Sequence, residues 1–312
     1  MAEDHETRHE TSTGVSWMHR FASLVAVMAF LLILTGTLVS GASGTPAIHQ
    51  WTRFFWSSAP GPPVKYAAAY QWVAAAVIIL TVILALWLWR SDSHRYIKSL
   101  AGIAVGTLLV VAVVASVAAH FLHSAAGPFL YAFGIQVFFS LTVCLALFTR
   151  TDWRWDHPKT RDIASPSLRQ VLVFTTGALF LLSLLGEGFR LKDLGIAPHL
   201  VLGIAVTLCA VWVLEMALSK FQHLRPFKMS AILLAELAGL QLFLGIICYS
   251  MELNARAASV PQPGLLVMNV THAAVGALVL ATSLFVTCQA FKYLAPEDSA
   301  IPLMSHQEDS EI

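Results

Sequence analysis

Two histidines have the type and spacing to hold a metal. His199 lies 21 residues before Lys220, and His272 lies 20 residues before Lys292. Each stands near the start of a long apolar run that ends at its lysine. On a helix rising 1.5 Å per residue, both imidazoles sit about 30 Å from the face that carries the lysines. They share one depth, on alternate helices of one bundle. Neutral imidazole is a good iron ligand. Two imidazoles on facing helices can fill both axial positions of a six-coordinate heme, with apolar side chains walling the porphyrin. The alternative is a pair of interfacial histidines satisfied by water or backbone carbonyls. No HxxxH spacing occurs, so the signal is positional.

The same arithmetic in the first half of the chain finds tyrosines. Tyr70 lies 20 residues before Arg90 and Tyr131 lies 19 before Arg150. A phenol ligates ferric heme only after losing a proton whose pKa is about 10. A tyrosine of the interfacial aromatic belt is the other reading. His49, His120 and His123 fall near the same bundle mouth. His120 and His123 are three apart and share a face if their helix continues; otherwise all three are solvated loop or interface histidines. In GEGFR, Arg190 can pair with a heme propionate beside His199, or form a surface ion pair with Glu187. Glu215 and Glu236 lie inside apolar runs, where a charge is costly. A packing contact or a protonated carboxyl is expected for them, with a proton relay as the alternative.

The elements that must position these residues are membrane spans. Of 312 residues, 57% are hydrophobic and only 12% are charged, about half the charge of a soluble domain. Mean hydropathy is +0.70. The net charge of +1 gives no basic field for phosphates, so no nucleic acid partner is expected. Cys144, Cys209, Cys248 and Cys288 lie in apolar runs without a CxxC and read as small fillers rather than a disulfide or zinc framework. With about 20 residues per span, eight are expected, at 21–41, 66–89, 99–121, 128–149, 170–187, 198–219, 229–251 and 265–291. The breaker Gly127-Pro128 divides a 51-residue stretch without Asp, Glu, Lys or Arg into two of them. The charges Glu187, Arg190, Lys192 and Asp193 read as a short surface loop between spans five and six.

The expected architecture is an all-α membrane protein whose eight transmembrane helices form two parallel four-helix bundle repeats. Residues 1–20 form an N-terminal tail, 21–149 the first bundle, 150–169 a charged linker, 170–292 the second bundle and 293–312 an acidic tail. Fourteen of the nineteen Lys and Arg residues fall on the face shared by both termini. That puts both termini in the cytoplasm and leaves membrane lipid as the first partner. The N-terminal twenty residues are neither a signal peptide nor a transit peptide, which favours a bacterial plasma (inner) membrane.

Particular segments carry a family likeness. HRFASLVAVMAFLLILTGTLVSGASGTPA resembles the first span and loop of heme A synthases, a cytochrome oxidase assembly family. FGIQVFFSLTVCLAL resembles their fourth span, PHLVLGIAV their sixth, GLQLFLGIICYSM their seventh and NVTHAAVGALVLATSLFV their eighth. The resemblance spans about residues 17–292, and its specificity comes from the order of short motifs. It implies a C-terminal bundle holding heme b between His199 and His272. It also implies an N-terminal bundle that oxidises the methyl group of heme O. Cytochrome oxidase assembly proteins or a heme O synthase would be partners.

The first half departs from that pattern. In KYAAAYQWVAAA, Ala67 stands in the family's glutamate slot, Tyr70 in its histidine slot and Gln71 in its arginine slot. Tyr131 replaces the second histidine, and the first loop has no cysteine pair. Oxidation of heme O would need substitutes, with Tyr70, Tyr131, His120 and His123 as an altered substrate-heme site. The expectation is therefore a heme A synthase-like protein that binds heme b. The alternatives are a non-catalytic heme-binding or electron-relay protein, and a heme-free transporter or scaffold.

Overall fold

The computed structural model describes residues 3–43, 47–48, 65–121, 126–151, 153, 159–190, 194–258 and 263–296, with the backbone alone described at 3–16, 118–121, 126, 256–258 and 263. Among these residues are eight long helices: α1 Glu3–Ser43, α2 Ala67–Arg90, α3 Arg95–Phe121, α4 Ala126–Phe148, α5 Leu168–Arg190, α6 Ile196–Ser219, α7 Arg225–Ala258 and α8 Pro263–Tyr293. Each holds a stretch long and apolar enough to cross a membrane, so the chain is a multi-pass, all-α membrane protein. Lipid offers no partner for a backbone N–H or C=O, which leaves the helix as the one economical form for such runs. Several hydroxyls inside the spans are satisfied in the same way. Thr37, Thr81, Ser140 and Thr175 each donate to the carbonyl four residues back.

Prolines mark where the helices start. Pro128, Pro198, Pro226 and Pro263 all fall in the first turn of α4, α6, α7 and α8, where a missing N–H costs nothing. α5 begins under a different device. Asp162, 2% exposed, accepts from Ala164 N at 3.3 Å, Ser167 Oγ at 2.7 Å and Arg169 N at 3.2 Å. It thereby satisfies a first-turn amide that has no partner within the helix.

Consecutive helices pack side by side, and the ring closes twice. α1 meets α2, α2 meets α3, α3 meets α4, and α4 returns to α1; α5, α6, α7 and α8 repeat the pattern. The two rings touch through α1 with α8, α4 with α5, and α4 with α8. Advancing every helix by four turns the first of these contacts into the second and leaves the third unchanged. That is the signature of a two-fold axis passing between α4 and α8. The face where odd-numbered helices begin is called proximal below, and the opposite one distal.

Small residues let the rings approach. A Cβ on Gly41 of α1 would come 2.6 Å from Leu266 of α8. Within the second ring, Thr176 of α5 hydrogen-bonds Ser283 at 2.7 Å and Thr287 at 2.9 Å, both on α8. The outer wall is apolar, with Leu109, Phe174, Val201, Leu208 and Val267 all exposed, as lipid-facing side chains must be. At the proximal face a short parallel strand pair joins β1, Thr160–Arg161, to β2, Leu294–Ala295. Asp162 N donates to Ala295 O at 2.9 Å. Lys292 lies over the Trp153 ring at 4.9 Å, and Arg169 over Phe291 at 4.2 Å.

Three expectations change. The helix that carries the span expected at 21–41 begins earlier, at Glu3, inside the segment expected as a tail, since that stretch holds no proline. Glu187 and Arg190 belong to α5 rather than a loop: spaced i,i+3, they pair at 3.5 Å and carry the helix through its last turn. The segment after α8 does not leave as a tail at once, since Leu294–Ala295 pairs with the linker. Lys192, Asp193 and residues 297–312 lie outside the described residues.

Candidate functional site

α6 and α8 occupy opposite corners of the second ring, and side chains from both reach its middle. His199 and His272 meet there, with ring centres 6.3 Å apart and planes inclined at 72°. Two imidazoles on opposite sides of one metal need ring centres about 6 Å apart, given metal–nitrogen bonds of about 2 Å and a nitrogen about 1 Å from each ring centre. Among the described residues, no group of three or more His, Cys, Asp and Glu side chains could hold a metal ion. The pair by itself supplies two nitrogen donors.

The helix preceding each histidine helix makes room for its ring. A Cβ on Gly186 of α5 would lie 2.9 Å from Cε1 of His199, and one on Gly245 of α7 would lie 3.1 Å from Cε1 of His272. His199 Nδ1 donates to the Leu182 carbonyl at 3.1 Å. That bond fixes the tautomer and leaves the Nε2 lone pair available as a ligand. His272 is held differently. Its Nε2 lies 3.3 Å from Nε2 of Gln241. Its Nδ1 is buried without a hydrogen bond, as is Oε1 of Gln241. Each is a buried polar atom that the fold leaves unpaired.

Arg190 lies one helical turn beyond Gly186 on the same face of α5, at the distal end near His199. Its guanidinium offers five donors, and Glu187 engages it through one nitrogen at 3.5 Å. This is compatible with holding a carboxylate at the mouth of the site. Nearby, Phe189 and Tyr249 make an edge contact at 6.2 Å between α5 and α7.

The first ring repeats the layout with other chemistry. Tyr70 of α2 and Tyr131 of α4 come from opposite corners and hydrogen-bond each other through their hydroxyls. Gly36 of α1 faces Tyr70 as Gly186 faces His199, its Cβ position lying 3.6 Å from the phenol ring. Tyr70 is 1% exposed, so the aromatic-belt expectation fails for it: the side chain points into the bundle rather than to the interface. Beside the pair lies an apolar cavity of about 20 Å³, lined by Leu32, Ala74, Val77, Leu108, Tyr131 and Ile135 among others. That is room for about one water molecule.

The remaining candidates separate. His49 and His123 lie outside the described residues, and His120 is described only as backbone of α3. Glu215 and Glu236 are exposed on the outer faces of α6 and α7, which removes the packing contact and leaves the protonated carboxyl of the two readings expected for them. Buried Leu234 and Ala238 mark the inner face of α7. Glu236 is two residues from each, which is about 200° around the helix. The four cysteines are free. Gly186, Gly245 and Gln241 were legible only as letters of longer motifs. A glutamine in mid-span was the one available signal, since a polar side chain at membrane depth needs a reason.

With this geometry in view, comparison with known protein families and with curated proteins finds no match to the chain.

Proposed function

We propose that the chain is a heme-binding membrane protein of the heme A synthase-like kind, with one b-type heme between His199 and His272. The observation that carries this reading is the 6.3 Å separation of the two imidazoles across the centre of a four-helix ring. His199 is oriented by Leu182 to offer Nε2. Gly186 and Gly245 keep the space beside each ring open, and Arg190 is the residue that would pair with a propionate. When bound, the heme supplies reversible one-electron exchange. His199 and His272 would hold it, and the apolar side chains around them would exclude water.

Oxidation of heme O in the first ring is not part of the proposal. Tyr70 and Tyr131 spend their hydroxyls on each other, and Ala67 supplies no carboxylate. The role we assign is that of a non-catalytic heme carrier or electron relay serving cytochrome oxidase assembly. It would sit in a bacterial plasma membrane with both termini cytoplasmic, the side favoured by the Lys and Arg distribution.

The test is the visible spectrum of protein purified after heme-replete expression. The wild type is expected to show a low-spin b-type spectrum at one heme per chain. His199→Ala and His272→Ala are each expected to lose that spectrum while still inserting. A colourless, correctly inserted wild type overturns the reading in favour of a heme-free scaffold or transporter. Heme A in extracts of cells supplied with heme O would overturn the non-catalytic assignment.

A further inference from the structure

The two histidines are not equally ready to bind. His199 has its Nδ1 proton engaged by the Leu182 carbonyl at 3.1 Å, which leaves Nε2 open. His272 presents Nε2 to the amide nitrogen of Gln241 at 3.3 Å. A contact between these two nitrogens works in one sense: the amide N–H donates and the imidazole lone pair accepts. The lone pair that would bind iron is therefore already in use. The ring proton then sits on Nδ1, buried and without an acceptor, while Gln241 Oε1 is buried without a donor. Both residues make one bond at the cost of leaving one polar atom unsatisfied.

The helices are shaped around this contact. Gly276 lies four residues after His272 on α8, and a Cβ there would come 2.9 Å from Gln241 Nε2. Gly245 lies four residues after Gln241 on α7, and a Cβ there would come 3.1 Å from His272 Cε1. Each helix thus presents one polar side chain and one glycine notch, and each notch receives the other helix's side chain.

We propose that Gln241 is a positioning residue that latches His272. Its amide caps Nε2 in the heme-free chain and must swing off before the imidazole can bind iron, so that His199 engages first and His272 completes the site. This rests on the heme reading above. The latch keeps a desolvated lone pair satisfied while the site is empty, and it makes closure of the second bond the slow step.

The experiment is stopped-flow addition of hemin to heme-depleted full-length protein in nanodiscs, following the low-spin spectrum. Gln241→Leu keeps the bulk and removes the donor. It is expected to form that spectrum about three- to tenfold faster than wild type, the size of one modest hydrogen bond. Gln289→Leu removes another buried amide of α8, whose Oε1 also lacks a partner, and is expected to leave the rate unchanged. If Gln241→Leu does not insert, Gly276→Ala displaces the amide with the side chain retained and is expected to accelerate binding likewise. An inserted Gln241→Leu or Gly276→Ala protein that binds at the wild-type rate or slower overturns the latch. So does acceleration in Gln289→Leu to the same extent, which would report general loosening. A wild type that never gives the low-spin spectrum overturns the heme reading itself, a different outcome.

Discussion

At the scale of single residues, the site depends on atoms that are absent as much as on those present. Gly186 gives His199 its space, since a Cβ would stand 2.9 Å from the ring. Gly186→Val is expected to push that imidazole away from its partner. Overpacking of this kind costs about 1–3 kcal/mol, so hemin affinity should fall by about fivefold or more in an equilibrium titration, while insertion is preserved. Position along the chain made the two histidines legible, because depth in a membrane follows directly from residue count. The glycines and Gln241 were not legible in the same way. Their part is played across helices, and a single sequence does not say which helix lies opposite.

At the scale of elements, hydropathy located all eight spans, while the helices run past them, α1 down to Glu3 and α5 through Arg190. α5 continues through Glu187 and Arg190 because a polar last turn at the membrane edge is satisfied by water and by its own i,i+3 pair. What holds α5 in place is polar at two levels. The Thr176, Ser283 and Thr287 hydroxyls tie it to α8, and Asp162 caps its start. Thr176→Val is expected to cost about 1 kcal/mol, the usual worth of an interhelical hydroxyl bond in a membrane. Asp162→Ala is expected to cost about 1–2 kcal/mol by stripping a cap. Both are readable as lowered thermal midpoints in detergent, and neither should alter the visible spectrum of the heme-loaded protein.

At the scale of the whole molecule, two rings of one design carry different centres: an imidazole pair in one and a phenol pair in the other. Their independence is testable. Tyr70→Phe breaks the hydroxyl bond in the first ring and is expected to lower stability by about 1 kcal/mol. Heme content, read by pyridine hemochrome against protein mass, should stay at one per chain. The doubling itself was legible from span count and the charged linker. The exchange of Tyr for His between halves was equally plain. What the linear order concealed was the diagonal meeting of each pair, which arises only once four helices close into a ring.

The strand pair at the proximal face has a consequence for biogenesis. Thr160–Arg161 leaves the ribosome long before Leu294–Ala295, so this clasp can engage only after the final helix has been translated and inserted. A nascent polypeptide arrested short of Leu294 leaves β1 with no strand beside it and Asp162 N without its Ala295 acceptor. Closure of the clasp therefore reports, at the membrane surface, that the last segment needed for the imidazole site has been delivered.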